Sequence, residues 1–314
     1  AVAARCVRYL ADDGSTAHEE PCSYRLTSYN ALYDGLLDRL DPDRYHLGAE
    51  CVDFEHDPLA AVFADGRRER CDLLVFADGI NSTGRRLLLP HVEPQYAGYV
   101  AWRGIMDAAA PSLEDAVTYH VRPDGHAIAY PIPGRVFNWL WYRNVEAGPE
   151  LDDLLTGKAG VRSGGSLPPG LVREEHVRAL HADAEALPPP FAELLTRTPE
   201  PFIQVIVDVA VPRMAFERVC LIGDAAFALR PHVAAGTAKA AEDGWKLAES
   251  LRRCEGLEVW ETRQLSLGRA ALLRARAAGE RLQSGRWRTG EPLPYGLYRE
   301  GDSSMAKGGP WLRA

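Results

Sequence analysis

At 314 residues, 46% apolar and 25% charged, the chain has the composition of a soluble globular protein with length for about two domains. Its 36 basic residues against 44 acidic ones give a net charge of −8, which argues against nucleic acid or a membrane surface as partner. No apolar run approaches the roughly 20 residues that span a bilayer and no signal peptide opens the chain, so a cytoplasmic location is expected.

The six cysteines (Cys6, Cys22, Cys51, Cys71, Cys220, Cys254) are scattered without a C-x-x-C pair, as free thiols in a reducing compartment would be. The nine histidines show neither H-x-x-x-H nor H-E-x-x-H spacing, and no metal site is expected. The chain opens Ala-Val-Ala-Ala-Arg, and its only methionines are Met106, Met214 and Met305. A processed chain or a fragment is expected.

Taken in order, "RLTSYNALYDGLLDRLD" (residues 25–41) predicts a helix. Leu32, Leu36 and Leu40 form one stripe beside Tyr33 and Leu37, and Thr27 or Ser28 serves as N-cap. "HLGAECVDFE" and "LAAVFADG" alternate like strands, with Asp65-Gly66 as a turn. "CDLLVFADG" reads as a buried strand ending in Asp78-Gly79. From about Tyr96 to Val211, runs such as "AGYVAWRGIM", "AIAYPIPG", "VFNWLWYRNV" and "PFIQVIVDVAV" predict a mixed or antiparallel sheet. "GVRSGGSLPPG" is a loop, and "EEHVRALHADAEALPPPFAELLTR" predicts two short helices split by prolines. A strand, loop and helix come next, from Val219 to Leu251, then a helical stretch from about Leu257 to Leu282 and a loosely ordered "GGPWLRA" tail.

Two segments carry chemistry. In "CDLLVFADGINSTGRR", Gly79 permits a sharp turn, Ser82 can cap the next element, and Arg85 and Arg86 place positive charge beside a strand end. Alone, this reads as an ordinary strand-to-helix turn with surface arginines. In "VCLIGDAAFALRPHVAAGTAKAAEDGWKLAESL", a strand ends in Gly223-Asp224, where open α/β sheets bind their ligands. Asp224 can accept hydrogen bonds from sugar or polyol hydroxyls, Pro231 shapes the loop, and Gly236 permits close backbone approach. The N–H groups at Gly236-Thr237 open a helix whose positive end suits an electron-rich ligand edge. A phosphatase-type Gly-Asp metal loop is excluded, because Ala228 stands where its second acid is needed and no D-x-D-x-[TS] strand lies upstream.

Together and in this order, the two segments resemble the FAD-dependent aromatic hydroxylases, the single-component flavoprotein monooxygenases. The match to that family's G-D-A-A-x-x-x-x-P-x-x-x-x-G pattern with a later E-D consists of Gly223, Asp224, Ala225, Ala226, Pro231, Gly236, Glu242 and Asp243. "RLTSYNALYDGL", "YAGYVAWRG", "HAIAYPIPGR", "RPHVAAGTAKA" and "ETRQL" are similar to the 2,6-dihydroxypyridine 3-hydroxylase-like subgroup, from about Arg25 to Gln283. Phe227 departs from the common family His, and Ala238 from the common Asn. The sequence contains no G-x-G-x-x-G, so the resemblance implies that a βαβ unit lies upstream of Ala1.

The resemblance implies an α/β (α+β) fold: a Rossmann-like FAD/NAD(P)-binding domain, N-terminally truncated, with an inserted mixed or antiparallel sheet for substrate and C-terminal helices. The segments would be 1–92 and 214–256 for FAD, 93–213 for substrate, and 257–314 for helices and tail. Asp224 would bind the ribityl chain, and the backbone at Gly236-Thr237 the pyrimidine edge. Gly223 and Pro231 would shape the loop, Asp78 would support the pyrophosphate region and nicotinamide access, and Arg25 would reach toward flavin or phosphates. His232 would orient or deprotonate the ring as the catalytic group. Tyr99, Trp102, Tyr130 and Trp139 would line the substrate pocket, with Arg103 and Trp141 as further candidates. NADH or NADPH would reduce FAD, O2 would form a flavin hydroperoxide, and a hydroxypyridine-like ring would be hydroxylated. A homodimer is compatible with this reading. The alternative is a degenerate module of the same fold that binds a ligand or partner without turnover.

Overall fold

Residues 1–107, 113–288, 290–291 and 293–297 are described in this computed structural model. In chain order they form β1 (Val2–Leu10), β2 (Thr16–Leu26), α1 (Tyr29–Leu37), β3 (Cys51–His56), β4 (Leu59–Phe63), β5 (Arg68–Arg70), β6 (Leu74–Phe76) and α2 (Thr83–Leu88). There follow β7 (Gln95–Met106), β8 (Ala116–Arg122), β9 (Gly125–Ile132), β10 (Val136–Asn144), α3 (Pro149–Leu154), β11 (Ser166–Leu167), α4 (Glu174–Ala184), α5 (Pro189–Arg197) and β12 (Phe202–Asp208). The last described elements are β13 (Ala215–Phe216), β14 (Val219–Leu221), α6 (Gly236–Arg252) and α7 (Leu257–Gln283). The expected "GGPWLRA" tail lies outside the described residues.

The chain divides into two compact units. One comprises Ala1–Tyr45, Tyr96–Ile206 and a segment from Glu280; the other comprises His46–Gln95, Val207–Gly279 and a segment from Leu293. The first 45 residues therefore pack with the large sheet, which differs from the expected 1–92 span. The cause is β1, which pairs in parallel with β8, Tyr9 opposite Tyr119. It also pairs antiparallel with β2 across the Asp13-Gly14 turn.

In the first unit an eight-stranded mixed sheet runs β11-β12-β7-β10-β9-β8-β1-β2. Pleating gives it two faces. Phe137, Trp139 and Trp141 of β10 join Val100 and Trp102 of β7 in a buried cluster with Leu180 of α4 and Phe191 and Leu194 of α5. Trp139 packs against β7, where a Cβ at Gly104 would come within 2.6 Å of its ring, so only glycine fits there. The opposite face carries Leu140 and Tyr142 with Tyr99, Ala101 and Ile206. On that face aromatic rings stack in sequence from Tyr9 to Tyr119 (5.5 Å), His126 (6.2 Å) and Tyr142 (4.5 Å). Helix α1 starts at its Ser28 N-cap as expected, but the stripe is not buried: Tyr29 and Leu36 are largely exposed, and Leu40 falls beyond the helix end.

The second unit holds two small sheets, β13-β14-β6 and the meander β3-β4-β5. Phe76, Leu221, Phe227, Leu247 and Trp260 share its core.

His126 is buried in the first unit and bonds through Nδ1 to Gln283 Oε1 at 2.9 Å. Burial pushes its pKa down from 6.5 to about 4, against the pull of that bond. Between those two values the unfolded chain binds the extra proton, so stability rises with pH and is fully present above pH 6.5. Unfolding by urea should show about 2 kcal/mol lost between pH 7.5 and 5 through this one group. His126→Gln should flatten that limb; an unchanged slope would refute the assignment.

Candidate functional site

The two sequence motifs meet in the second unit. Strand β6 pairs in parallel with β14, Leu74 opposite Val219 and Phe76 opposite Leu221. That register carries Asp78-Gly79 and Gly223-Asp224 off the same carboxyl edge, where open α/β sheets take ligands. Gly79 (φ 76°) and Gly223 (φ 60°) both adopt left-handed backbone as each strand breaks into its turn.

Three side chains fix the turns. Asp78 is exposed, and its Oδ2 accepts from the backbone N–H of Thr83 (2.7 Å) and Gly84 (3.2 Å), capping α2 together with Ser82. Arg85, 2% exposed, donates to the carbonyls of Ala225 (3.0 Å) and Asp224 (3.5 Å) and to that of Ile80 in its own turn. It ties the Asp-Gly turn to the Gly-Asp turn. Asp243 of α6, fully buried, accepts from the Gly223 N–H (2.8 Å) and from Lys239 Nζ (2.5 Å), and Trp260 Nε1 donates to its carbonyl (3.1 Å).

Lys239 is itself fully buried, with its ammonium 4.7 Å from the centre of the Phe227 ring. Burial pushes the Lys239 ammonium down and the Asp243 carboxyl up, and their mutual attraction works back against both shifts. The Asp224 side chain reaches solvent, yet surrounding protein desolvates it enough to raise its carboxyl above the usual range, with Lys239 opposing.

Beyond Asp224 the chain makes a tight turn at Pro231–Val233, passes through left-handed Ala234 (φ 49°), and enters α6 at Gly236. No side chain caps this helix, and a Cβ at Gly236 would meet nothing within 4 Å. Asp224, Pro231, Thr237 and Ala238 are exposed or half-buried while His232 is buried. The arrangement offers an acceptor carboxylate beside unshared helix-start N–H groups, a match for a ligand with hydroxyls at one end and an electron-rich edge at the other.

Other expected residues fall elsewhere. Arg25 is an exposed residue of β2 opposite Ala3, not a helix-start residue. Trp102 and Trp139 belong to the buried core. They lie on the helix-covered face, where Trp139 is 0% exposed and its Nε1 donates to Thr198 Oγ1 at 2.8 Å. Trp141 shares that face. Tyr99 and Tyr130 lie on the other one. Two further residues escape sequence reasoning. The only signal for Lys239 is its i,i+4 spacing to Asp243. The buried Asp208 accepts from Arg230 (2.9 Å) and Arg276 (2.9 Å) and is legible only in three dimensions.

The FAD binding domain-like family matches residues 96–208. A 2,6-dihydroxypyridine 3-monooxygenase of Paenarthrobacter nicotinovorans is 38% identical over 93% of this chain and 78% of its own length. The chain belongs to the FAD-dependent aromatic monooxygenases. A salicylate hydroxylase of Pseudomonas putida is 31% identical over 64% of this chain, which spans 47% of that relative. Among solved structures, 2,6-dihydroxypyridine-3-hydroxylase from Arthrobacter nicotinovorans superposes with a TM-score of 0.90 at 38% identity, covering 95% of this chain and 81% of that one. Klebsiella pneumoniae HpxO, complexed with FAD and uric acid, shares the fold at a TM-score of 0.71 and 23% identity, covering 89% of this chain and 72% of that one. As in this family, FAD is the cofactor, and the carboxylate and open helix start of the Gly-Asp segment suit it.

Removing one member of the buried Lys239–Asp243 pair strands the other. Lys239→Met should cost about 3–5 kcal/mol in chemical denaturation. Lys239→Met/Asp243→Asn should recover part of that loss, because no unpaired charge remains; a double variant as unstable as the single one would refute the pairing.

Proposed function

We propose that this monooxygenase hydroxylates an activated, hydroxypyridine-like aromatic ring with NAD(P)H and O2. The observation that carries the reading is the 38% identity to a 2,6-dihydroxypyridine 3-monooxygenase across 93% of the chain. It is supported by a Gly-Asp turn held in a shape suited to FAD. When bound, FAD supplies the redox chemistry, taking electrons from the nicotinamide and activating O2.

The chain's own residues bind and orient. Asp224 accepts hydrogen bonds from the ribityl hydroxyls, and the backbone N–H groups of Gly236 and Thr237 meet the pyrimidine edge. Asp78 acts indirectly: its carboxylate is committed to Thr83 and Gly84, so it sets the turn that Arg85 locks. His232, buried in its tight turn, orients or deprotonates the ring hydroxyl.

The complete gene product should be yellow as purified and oxidise NADH or NADPH with 2,6-dihydroxypyridine, releasing a product one oxygen atom heavier by mass spectrometry. Reduced nicotinamide consumed without that mass gain would overturn the reading. Asp224→Ala should lower FAD retention by about tenfold, read from the ratio of flavin to protein absorbance. Wild-type flavin content would remove Asp224 from the site.

A further inference from the structure

Two buried nitrogens on the sheet face away from α4 and α5 have no hydrogen-bond partner: Nε of Arg103 and Nδ2 of Asn138. Alternation along β7 puts Arg103 on the face of Tyr99 and Ala101, and along β10 it puts Asn138 with Leu140 and Tyr142. Asn138 pairs directly with Tyr130 of β9, and Arg103 lies opposite Leu140, so the two are diagonal neighbours. Burial pushes the Tyr130 phenol up, and Arg103 and the neighbouring Asn138 amide work back against that shift.

The partners that Arg103 does have carry no charge. Its Nη1 donates to Gln204 Oε1 at 2.6 Å, and its guanidinium sits 5.5 Å from the centre of the Phe202 ring. Tyr130 and Tyr142 feel its field, but burial pushes both phenols up, so they stay protonated and cannot neutralise it. Arg103, Tyr130, Gln204 and Phe202 are half-buried, and Asn138 is 8% exposed. Guanidinium and amide nitrogens only donate. An always-charged donor and a second idle donor on one face call for a partner with two acceptors and a negative charge.

A deprotonated 2-hydroxypyridine has that edge: an anionic oxygen on the carbon next to a ring nitrogen with a free lone pair. We propose that Arg103 binds the anionic oxygen and Asn138 Nδ2 the neighbouring ring nitrogen of the substrate, so that this patch selects the ring anion over its neutral form. The assignment rests on the hydroxypyridine reading above and adds the residues that read the ring. It also separates this chain's chemistry from recognition of a ring carboxylate, which would present two oxygens and no ring nitrogen.

Calorimetric titration of the complete, flavin-loaded protein tests this with two probes. These are 2,6-dihydroxypyridine and 2,6-dimethoxypyridine, which cannot ionise at its oxygens, with salicylate as the carboxylate control. Arg103→Gln should weaken the dihydroxypyridine by at least about tenfold, ~1.4 kcal/mol, with Arg103→Lys intermediate. Asn138→Leu should weaken it by roughly threefold or more. Affinity for the dimethoxy compound should not change in either Arg103 variant, which a general loss of sheet packing could not produce, whereas Asn138→Leu should weaken both compounds alike, since both keep the ring nitrogen. Should Arg103→Gln fail to fold, Arg103→Lys carries the same comparison. A wild-type protein that does not bind dihydroxypyridine overturns the functional reading itself. A wild type that binds it, with variants binding equally well, overturns this inference alone. A wild type that prefers salicylate would replace the oxygen-and-nitrogen edge with a carboxylate and also overturn it.

Discussion

The parallel pairing of β6 with β14 is the constraint on which the candidate site depends. Neither the Asp-Gly nor the Gly-Asp motif is distinctive alone; both are ordinary ways for a strand to end. Set side by side in register, they become one edge with two turns. The Arg85 guanidinium holds them there across 140 residues of sequence. Burying an arginine is costly, and here its Nη1 and Nη2 donors offset part of that cost through the backbone carbonyls whose loops they fix, while Nε has no partner. Asp243 does the same work from the helix side, fixing Gly223 by its amide.

The large sheet shows a second economy. One strand, β10, serves two surfaces at once: its odd positions Phe137, Trp139 and Trp141 build the core beneath the helices, while Asn138, Leu140 and Tyr142 face the other way. The tryptophans secure one face of the sheet, and the polar and phenolic residues share the other. A residue's aromatic character therefore says little about its role here, and its parity in the strand says much.

Much of this is legible in the sequence. The strand ends at Asp78 and Asp224, the cap at Ser28, the paired helices after residue 173 and the alternation along "NWLWYRN" all obey local rules that tertiary packing respects. Other features are not. Strand β2 carries His18, Glu19, Glu20 and Pro21, a composition that hides a strand; the proline is tolerated beside a register shift at an edge. Which face of β10 is covered depends on where α4 and α5 return, and period-2 alternation cannot supply that. The charged core around Asp208 and Lys239 stays hidden because its partners meet only after folding.

Phe227 stands where the common family pattern has histidine, and its ring fills space that Gly268 leaves open: a Cβ there would come within 2.6 Å of it. The same ring lies under the Lys239 ammonium. Positions 227, 239 and 268 thus form one steric and electrostatic unit spread over a loop and two helices. Among diverging relatives these three should be exchanged as a set. An alanine at 227 would remove the π-face under the lysine and leave the space beside position 268 unfilled.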